Sequence, residues 1–406
     1  MPPQADDPRP SAPLDGRDLR RHWTLDPEVV FLNHGSFGAC PRDVLAAADR
    51  VRADLEREPV AFFVQKYERL LDAAREEVAA FVGADPQDLV FVRNATVGVN
   101  SVLRSLDLRP GDELLTTDHV YNACNNVLVH LAARSGARVV RAAVPFPIAG
   151  PQQVVDAVLA AVTPRTRLAL IDHVTSPTAL VFPVAELVAA LAERGVDTLV
   201  DGAHAPGMLP LDLAALGAAY YTGNFHKWVC APKGAGMLHV RRDRQAGIHP
   251  AVVSHGFNSR RPRPRLWEEF DWTGTDDPAP WLSVPAAIRW LGALLPGGWP
   301  ELRARNHALV CDGRERLARA LGVDLPAPAS MLGSLAALAL PDGADVPPSS
   351  ALYADPLQVA LFERHRIEVP IPPWPAPPRR LVRISAQIYN TPADYDALAA
   401  ALVASL

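Results

Sequence analysis

Lysine is nearly missing from this chain: only Lys66, Lys227 and Lys233 occur in 406 residues, although lysine and arginine together number 40. Chemistry that needs a side-chain amine therefore has three candidates. Positive charge is not in excess either. The 40 basic residues face 45 acidic ones, a formal net charge of −5, so there is no basic field to draw nucleic acid and none is expected as a partner. No apolar run reaches the ~18–20 residues that span a bilayer. The stretch up to Trp23 is polar and Pro-rich and lacks the apolar segment of a secretory signal. The four cysteines, Cys40, Cys124, Cys230 and Cys311, form no CxxC pair and show no disulfide or zinc spacing. The expectation is a cytoplasmic protein with no membrane partner and no metal.

What is present is ordinary globular material, 49% hydrophobic and 21% charged. A chain of this length suggests two or three domains and can bury roughly three quarters of its unfolded surface. Residues 1–22 read as a disordered or loosely docked arm, because proline and charge dominate. From about Phe31 short β-rich runs alternate with amphipathic helical stretches. Strands are predicted at 89–92, 113–117, 137–142, 167–171, 198–200, 218–221 and 236–240. Helices are predicted from about Thr96, over 121–134, near 151–162 and over 184–194. This alternation implies an α/β fold with a mostly parallel sheet between helices, and ligands of such sheets sit at the carboxyl ends of the strands. The Arg-, Pro- and Trp-rich stretch 241–280 reads as loops, and a helix over 281–295 leads to a smaller α+β C-terminal domain. The expected division is an arm at 1–30, a large domain at 31–285 and a small domain at 286–406.

Three separated pieces carry chemistry. In Leu199-Val200-Asp201-Gly202-Ala203-His204 an acid follows an apolar strand. In Thr222-Gly223-Asn224-Phe225-His226-Lys227-Trp228 one of the three lysines follows another short strand among small polar and aromatic residues, as a Schiff-base amine would. In Phe91–Asn100 a strand turns into a helix start at Asn94-Ala95-Thr96, where free backbone N–H groups and the helix dipole favour an anion. Singly each is ordinary: a strand-end aspartate, a surface lysine, a helix cap. Together they describe a phosphate at a helix start, a carboxylate facing a ring nitrogen and an amine facing an aldehyde. That is pyridoxal 5′-phosphate (PLP).

The order and spacing resemble the class V aminotransferase group of fold-type I PLP-dependent enzymes, within it the isopenicillin N epimerase-like branch. The resemblance is carried by Phe31–Gly38, Asn94–Thr96, Thr175–Thr178, Asp201–His204, Thr222–Trp228, Trp272-Thr273-Gly274-Thr275, Arg383-Ile384-Ser385 and Tyr389-Asn390-Thr391. It implies that Lys227 holds the cofactor and shuttles the α-proton, and that Asp201 keeps the ring nitrogen protonated. It places His204 near the phenolic oxygen and Ser176 near the ring. Tyr121 would stack on the ring, with His119 as its rival. Thr96, Thr222 and His226 would bind the phosphate beside Asn94 and Ala95. Arg383 would grip a substrate carboxylate, and Asn33, His34 and Gly35 would line the substrate mouth. Relatives lend their neighbour the segment matching Trp272–Thr275, which implies a homodimer with Thr275 reaching the partner's phosphate.

One departure matters. Desulfurase relatives carry a catalytic cysteine shortly before the arginine matching Arg383. Here that stretch reads His365-Arg366-Ile367-Glu368-Val369-Pro370-Ile371-Pro372, so a persulfide mechanism is not expected. The resemblance implies action at the α-carbon of an amino acid or amino-acid-bearing small molecule, by epimerisation or racemisation. The alternatives are a carbon–sulfur β-lyase on cysteine derivatives or their sulfoxides, and an aminotransferase. Epimerisation requires a proton donor on each face, with His34, His119 and Tyr353 as candidates opposite Lys227.

Overall fold

The computed structural model describes residues 16–346 and 354–406. Its strands are β1 (Val30–Phe31), β2 (Leu89–Val92), β3 (Glu113–Thr117), β4 (Arg138–Ala142), β5 (Thr166–Asp172), β6 (Asp197–Gly202), β7 (Tyr220–Asn224), β8 (Gly236–Val240), β9 (Leu335–Leu340), β10 (Ile367–Glu368) and β11 (Arg380–Ser385). Seven of them form one sheet in the order β2-β8-β7-β6-β5-β3-β4. Strands β3 to β7 pair in parallel, and β8 runs antiparallel to β7 and β2.

The strand sequences explain this sheet. Alternate residues point to opposite faces, and both faces are apolar, as a parallel sheet covered twice requires. Leu89, Phe91, Leu115, Ala169, Ile171 and Val200 pack into one core, while Val90, Val92, Leu114, Leu168, Leu170 and Leu199 pack into another on the opposite side. A third core belongs to the C-terminal unit. There β9 and β11 pair antiparallel, and helices Gly298–Leu321 and Pro392–Ser405 pack together.

Several elements differ from the sequence reading. The strand expected at 218–221 begins at Tyr220 and runs on to Asn224, because Thr222-Gly223-Asn224 keep pairing with β8. The predicted loops of 241–280 contain a helix at Arg265–Phe270. The helix expected over 281–295 is split into Ala279–Leu282 and Val284–Gly292, where Ser283 Oγ donates to Ala279 O and Pro285 lacks an N–H. The described part of the N-terminal arm is not loose. Leu19 and Trp23 are buried, Trp23 Nε1 donates to Ala39 O at 3.1 Å, and its ring meets Trp290 and Tyr389 edge-on. Strand β1 pairs in parallel with β10, so residues 30–31 are tied to the C-terminal unit.

Candidate active site

The carboxyl ends of β2, β3, β5, β6 and β7 converge on a cavity of about 320 Å³. Asn94, Ala95, Thr96, Tyr121, Ser176, Asp201, His204, His226 and Lys227 line it together with Ser36, Phe37, Asp172, Asn224 and Lys233. Most residues singled out from sequence thus share one wall system, although they come from segments up to about 130 positions apart.

Lys227 stands three residues beyond the end of β7. The chain crosses its turn closely: a Cβ at Gly38, where φ is +70°, would lie 2.1 Å from His226 O and 3.0 Å from Lys227 Cα. Only glycine fits both the conformation and the space. Lys227 Nζ lies 3.2 Å from His204 Nε2. His204 Nδ1 accepts from Trp228 Nε1 at 3.4 Å, which puts the imidazole proton on Nε2, facing the amine. Burial and the charge of Lys227 hold His204 neutral, far below its ordinary value. Burial, with Arg383 adding and Asp201 opposing, lowers Lys227 to about 7. The lowering favours the unprotonated amine, the form that attacks an aldehyde.

Asp201 is the penultimate residue of β6 and is 4% exposed. Its Oδ2 accepts from Cys124 Sγ at 3.2 Å and its Oδ1 from Ala203 N at 3.0 Å. Burial pushes this carboxyl up, while the thiol, the amide and Lys227 favour its charged form.

At the far end, Asn94 caps helix Ala95–Arg104 by accepting from Val97 N at 3.0 Å. Asn224 Oδ1 accepts from Ala95 N at 2.8 Å. Thr96, at the second helical position, and His226 complete this polar corner. His226 Nδ1 donates to Ala235 O at 3.0 Å; burial and the charge of Lys227 lower this imidazole to about 4, so its Nε2 carries a lone pair and meets an anion only together with a proton. Thr222 does not take part. Its hydroxyl donates to Met237 O at 2.7 Å and lies under helix Ala95–Arg104, only 2.2 Å from where a Cβ on Gly98 would stand. Asn224, two residues further along and at the carboxyl end of β7, lines the cavity where Thr222 does not.

Arg383 on β11 comes from the C-terminal unit and bonds to two of the lining residues, Ser36 and Ser176. It is 7% exposed. Its Nη1 donates to Ser176 O and Oγ at 2.7 and 3.2 Å, and its Nη2 to Ser36 Oγ at 3.0 Å. No carboxylate among the described residues pairs with it, and its Nε has no partner. The extended Pro370–Pro372 stretch runs beside it, with Arg383 N donating to Pro370 O.

Other residues expected at the mouth lie elsewhere. His34 is fully buried behind the lysine, with Nδ1 2.7 Å from Tyr389 Oη and Nε2 3.0 Å from Lys227 O. Gly35 packs against Leu335 and His204. Asn33 accepts from Ser36 Oγ and so reaches Arg383 only through that serine. His119 is also fully buried, held by Thr178 Oγ1 and Val144 O and packed on Trp374. Of the two rivals for the ring, Tyr121, 45% exposed, is the one that lines the cavity. Tyr353 lies outside the described residues. Thr275 is exposed and lines no part of its own chain's cavity, though its neighbour Asp276 pairs with the lining residue Arg93. Sequence reasoning gave no role to Ser36, Asp172 and Asn224. Ser36 and Asn224 sit inside the quoted motifs, but Asp172 had no local signal beyond an acid at a strand end.

The Aminotransferase class-V family matches residues 39–398. An isopenicillin N epimerase of Streptomyces clavuligerus is 36% identical, covering 96% of this chain and 98% of its own. A putative L-cysteine desulfhydrase of Oryza sativa subsp. japonica is 33% identical, covering 98% of this chain and 89% of its own. Among solved structures, a C-DES variant with glycine covalently linked to its PLP cofactor superposes with a TM-score of 0.77 at 23% identity, covering 95% of this chain and 98% of that one. The fold is that of the fold-type I enzymes, and the chain belongs to the class V aminotransferase family of PLP-dependent enzymes. The cavity fits that cofactor. It offers an amine lowered toward neutrality, a buried carboxylate, a helix-start anion corner with Asn224 and His226, and an aromatic wall at Tyr121. Among the described residues no helix is long and apolar enough to cross a membrane.

Proposed function

We propose that this PLP-dependent class V enzyme acts at the α-carbon of an amino acid or amino-acid-bearing small molecule, removing the α-proton and returning it with change of configuration. The observation that carries the amino-acid reading is Arg383: a buried guanidinium held by two serines, without a carboxylate from its own chain. A buried cation of this kind is strongly favoured by a bidentate carboxylate. The likeness to isopenicillin N epimerase over almost the whole chain supports epimerisation.

Each residue then has a defined task. When bound, PLP supplies an electron sink that acidifies the α-carbon of an amine joined to it. Lys227 Nζ, neutral in part at pH 7, provides the nucleophile and the base that takes the α-proton. Asp201 presents a negative charge fixed by Cys124 and Ala203, and His204 holds a proton at Nε2 for the phenolic oxygen. Asn94, Ala95, Thr96, Asn224 and His226 would hold the phosphate, and Ser36 and Ser176 keep Arg383 aimed at the substrate carboxylate. A homodimer would add Thr275 from its exposed loop to the partner's phosphate; an active monomer in sedimentation would remove this part. We place the protein in the cytoplasm.

A second reading is a carbon–sulfur β-lyase. It draws on the likeness to the desulfhydrase and on one observation: His34 and His119 are both engaged away from the cavity. Among the described lining residues, no imidazole other than His204 and His226 is at hand for the far face. Incubation with L-amino acids and cysteine conjugates in D₂O separates the two. Epimerisation gives α-deuteration and inverted product without pyruvate. Stoichiometric pyruvate and ammonia, with no exchange into unreacted substrate, would decide for the lyase.

A further inference from the structure

The cavity holds a second carboxylate for which the mechanism above has no task. Asp172 ends β5 and is 3% exposed. It lies in register with Asp201 on the neighbouring parallel strand, so the two side chains leave the same face of the sheet, about 5 Å apart at their backbones. Both line the same cavity. Asp172 receives backbone N–H groups, its own and that of Tyr121, whereas its Oδ2 is buried without any partner. Such an orphaned oxygen is costly in a folded chain. Asp201 by contrast accepts hydrogen bonds on both oxygens. Two like charges this close cannot both persist in a dry site.

We propose that Asp172 is a second cofactor-facing acid that carries the proton Asp201 lacks, so that the pair presents a single negative charge to a cationic ring nitrogen. This inference rests on the PLP reading of the cavity. The pair divides its labour by environment. The Cys124 thiol, the Ala203 amide and Lys227 favour charge on Asp201, while burial and the neighbouring Asp201 hold the Asp172 carboxyl well above the usual range. The groups facing Asp172 are Asp201 from β6, Cys124 from helix Asn122–Ser135 and Tyr121 from the turn before that helix. Lys227 and His204 lie across the cavity.

The sign of the pH effect follows. An acid whose folded value is raised contributes stability that is present below the ordinary carboxyl range, near pH ~4, and is lost as the pH climbs toward the folded value. Asp172→Asn imitates the protonated form and removes that slope. The apo-protein of the variant should therefore gain on wild type steadily between pH 5 and 8.5 in denaturant titrations; a pH-independent offset would overturn the proposal. The second measurement is PLP affinity, read by fluorescence at pH 6.5. Asp172→Asn should bind within about threefold of wild type, whereas Asp201→Asn should bind at least about tenfold more weakly. Equal weakening by both would show that Asp172 itself carries the charge. Wild-type protein that forms no borohydride-reducible bond to PLP would instead sink the cofactor reading, which keeps the two failures apart.

Discussion

Two buried arginines in this molecule have opposite surroundings. Arg75, on the helix Tyr67–Val82, is fully buried between Asp72 and Asp271, and Arg263 bonds to the same two carboxylates. The two guanidinium groups also flank Trp267, with Cζ atoms 4.1 and 4.8 Å from its ring centroid. Arg383 is nearly as buried yet has only serine oxygens and a backbone carbonyl. Both arginines leave Nε without a partner, so geometry alone does not separate them. Charge does. The chain completes Arg75 with its own acids, and among the described residues it supplies Arg383 with none. The same asymmetry divides the lysines, since Lys66 pairs with Asp54 at 2.9 Å while Lys227 faces a neutral imidazole.

The sharpest way to break this comparison is Lys227→Ala. Turnover and the borohydride-reducible cofactor bond should vanish, with the fold intact by circular dichroism; retention of the bond would move the assignment to Lys66 or Lys233. Next comes Arg75→Met. Removing one member of a buried ion network leaves its carboxylates less compensated, at a cost of about 3 kcal/mol in denaturant titrations. The kcat per folded molecule should not change. Arg383→Lys should do the reverse. A point charge cannot reproduce the two-pronged contact, so KM should rise about ten- to hundredfold, from a lost charge-assisted hydrogen bond, while stability stays within about 1 kcal/mol. If Arg383→Lys destabilises as much as Arg75→Met, the contrast between the two sites fails. The mildest effect is on pH. Attack of the apo-protein on an added aromatic aldehyde should rise with pH through a midpoint near 7, because the lowered amine loses its proton there. A midpoint near the ordinary lysine value of ~10.4 would show an unperturbed amine.

Much of the site was legible because its pieces are local motifs. The helix start at Asn94–Thr96, the acid at Asp201 and the lysine at Lys227 each follow a strand, and a strand followed by a small polar turn marks itself in sequence. The errors share one cause. Thr222 and Asn224 occupy the same face of β7, and only the position of Gly98 and Met237 shows which of them is covered. His34 and His119 looked available because no sequence pattern reveals that Tyr389 and Lys227 claim the first, and Thr178 and Trp374 the second. The described part of the arm looked loose because its charged residues concealed two anchors, Leu19 and Trp23.

The sequence by itself determined the alternation of strands and helices and the family, and it narrowed the candidate amines to three, since periodicity and turn chemistry act between near neighbours and only three lysines exist. The tertiary structure decided which polar groups are used up by the fold and which are left open. That question turns on contacts between residues far apart in the chain: Asp172 beside Asp201 by strand register, Arg383 beside Ser36 and Ser176 across two units, and His34 behind Lys227. Burial sets the charge of each such group, and burial is a property of the packed molecule that no local pattern encodes.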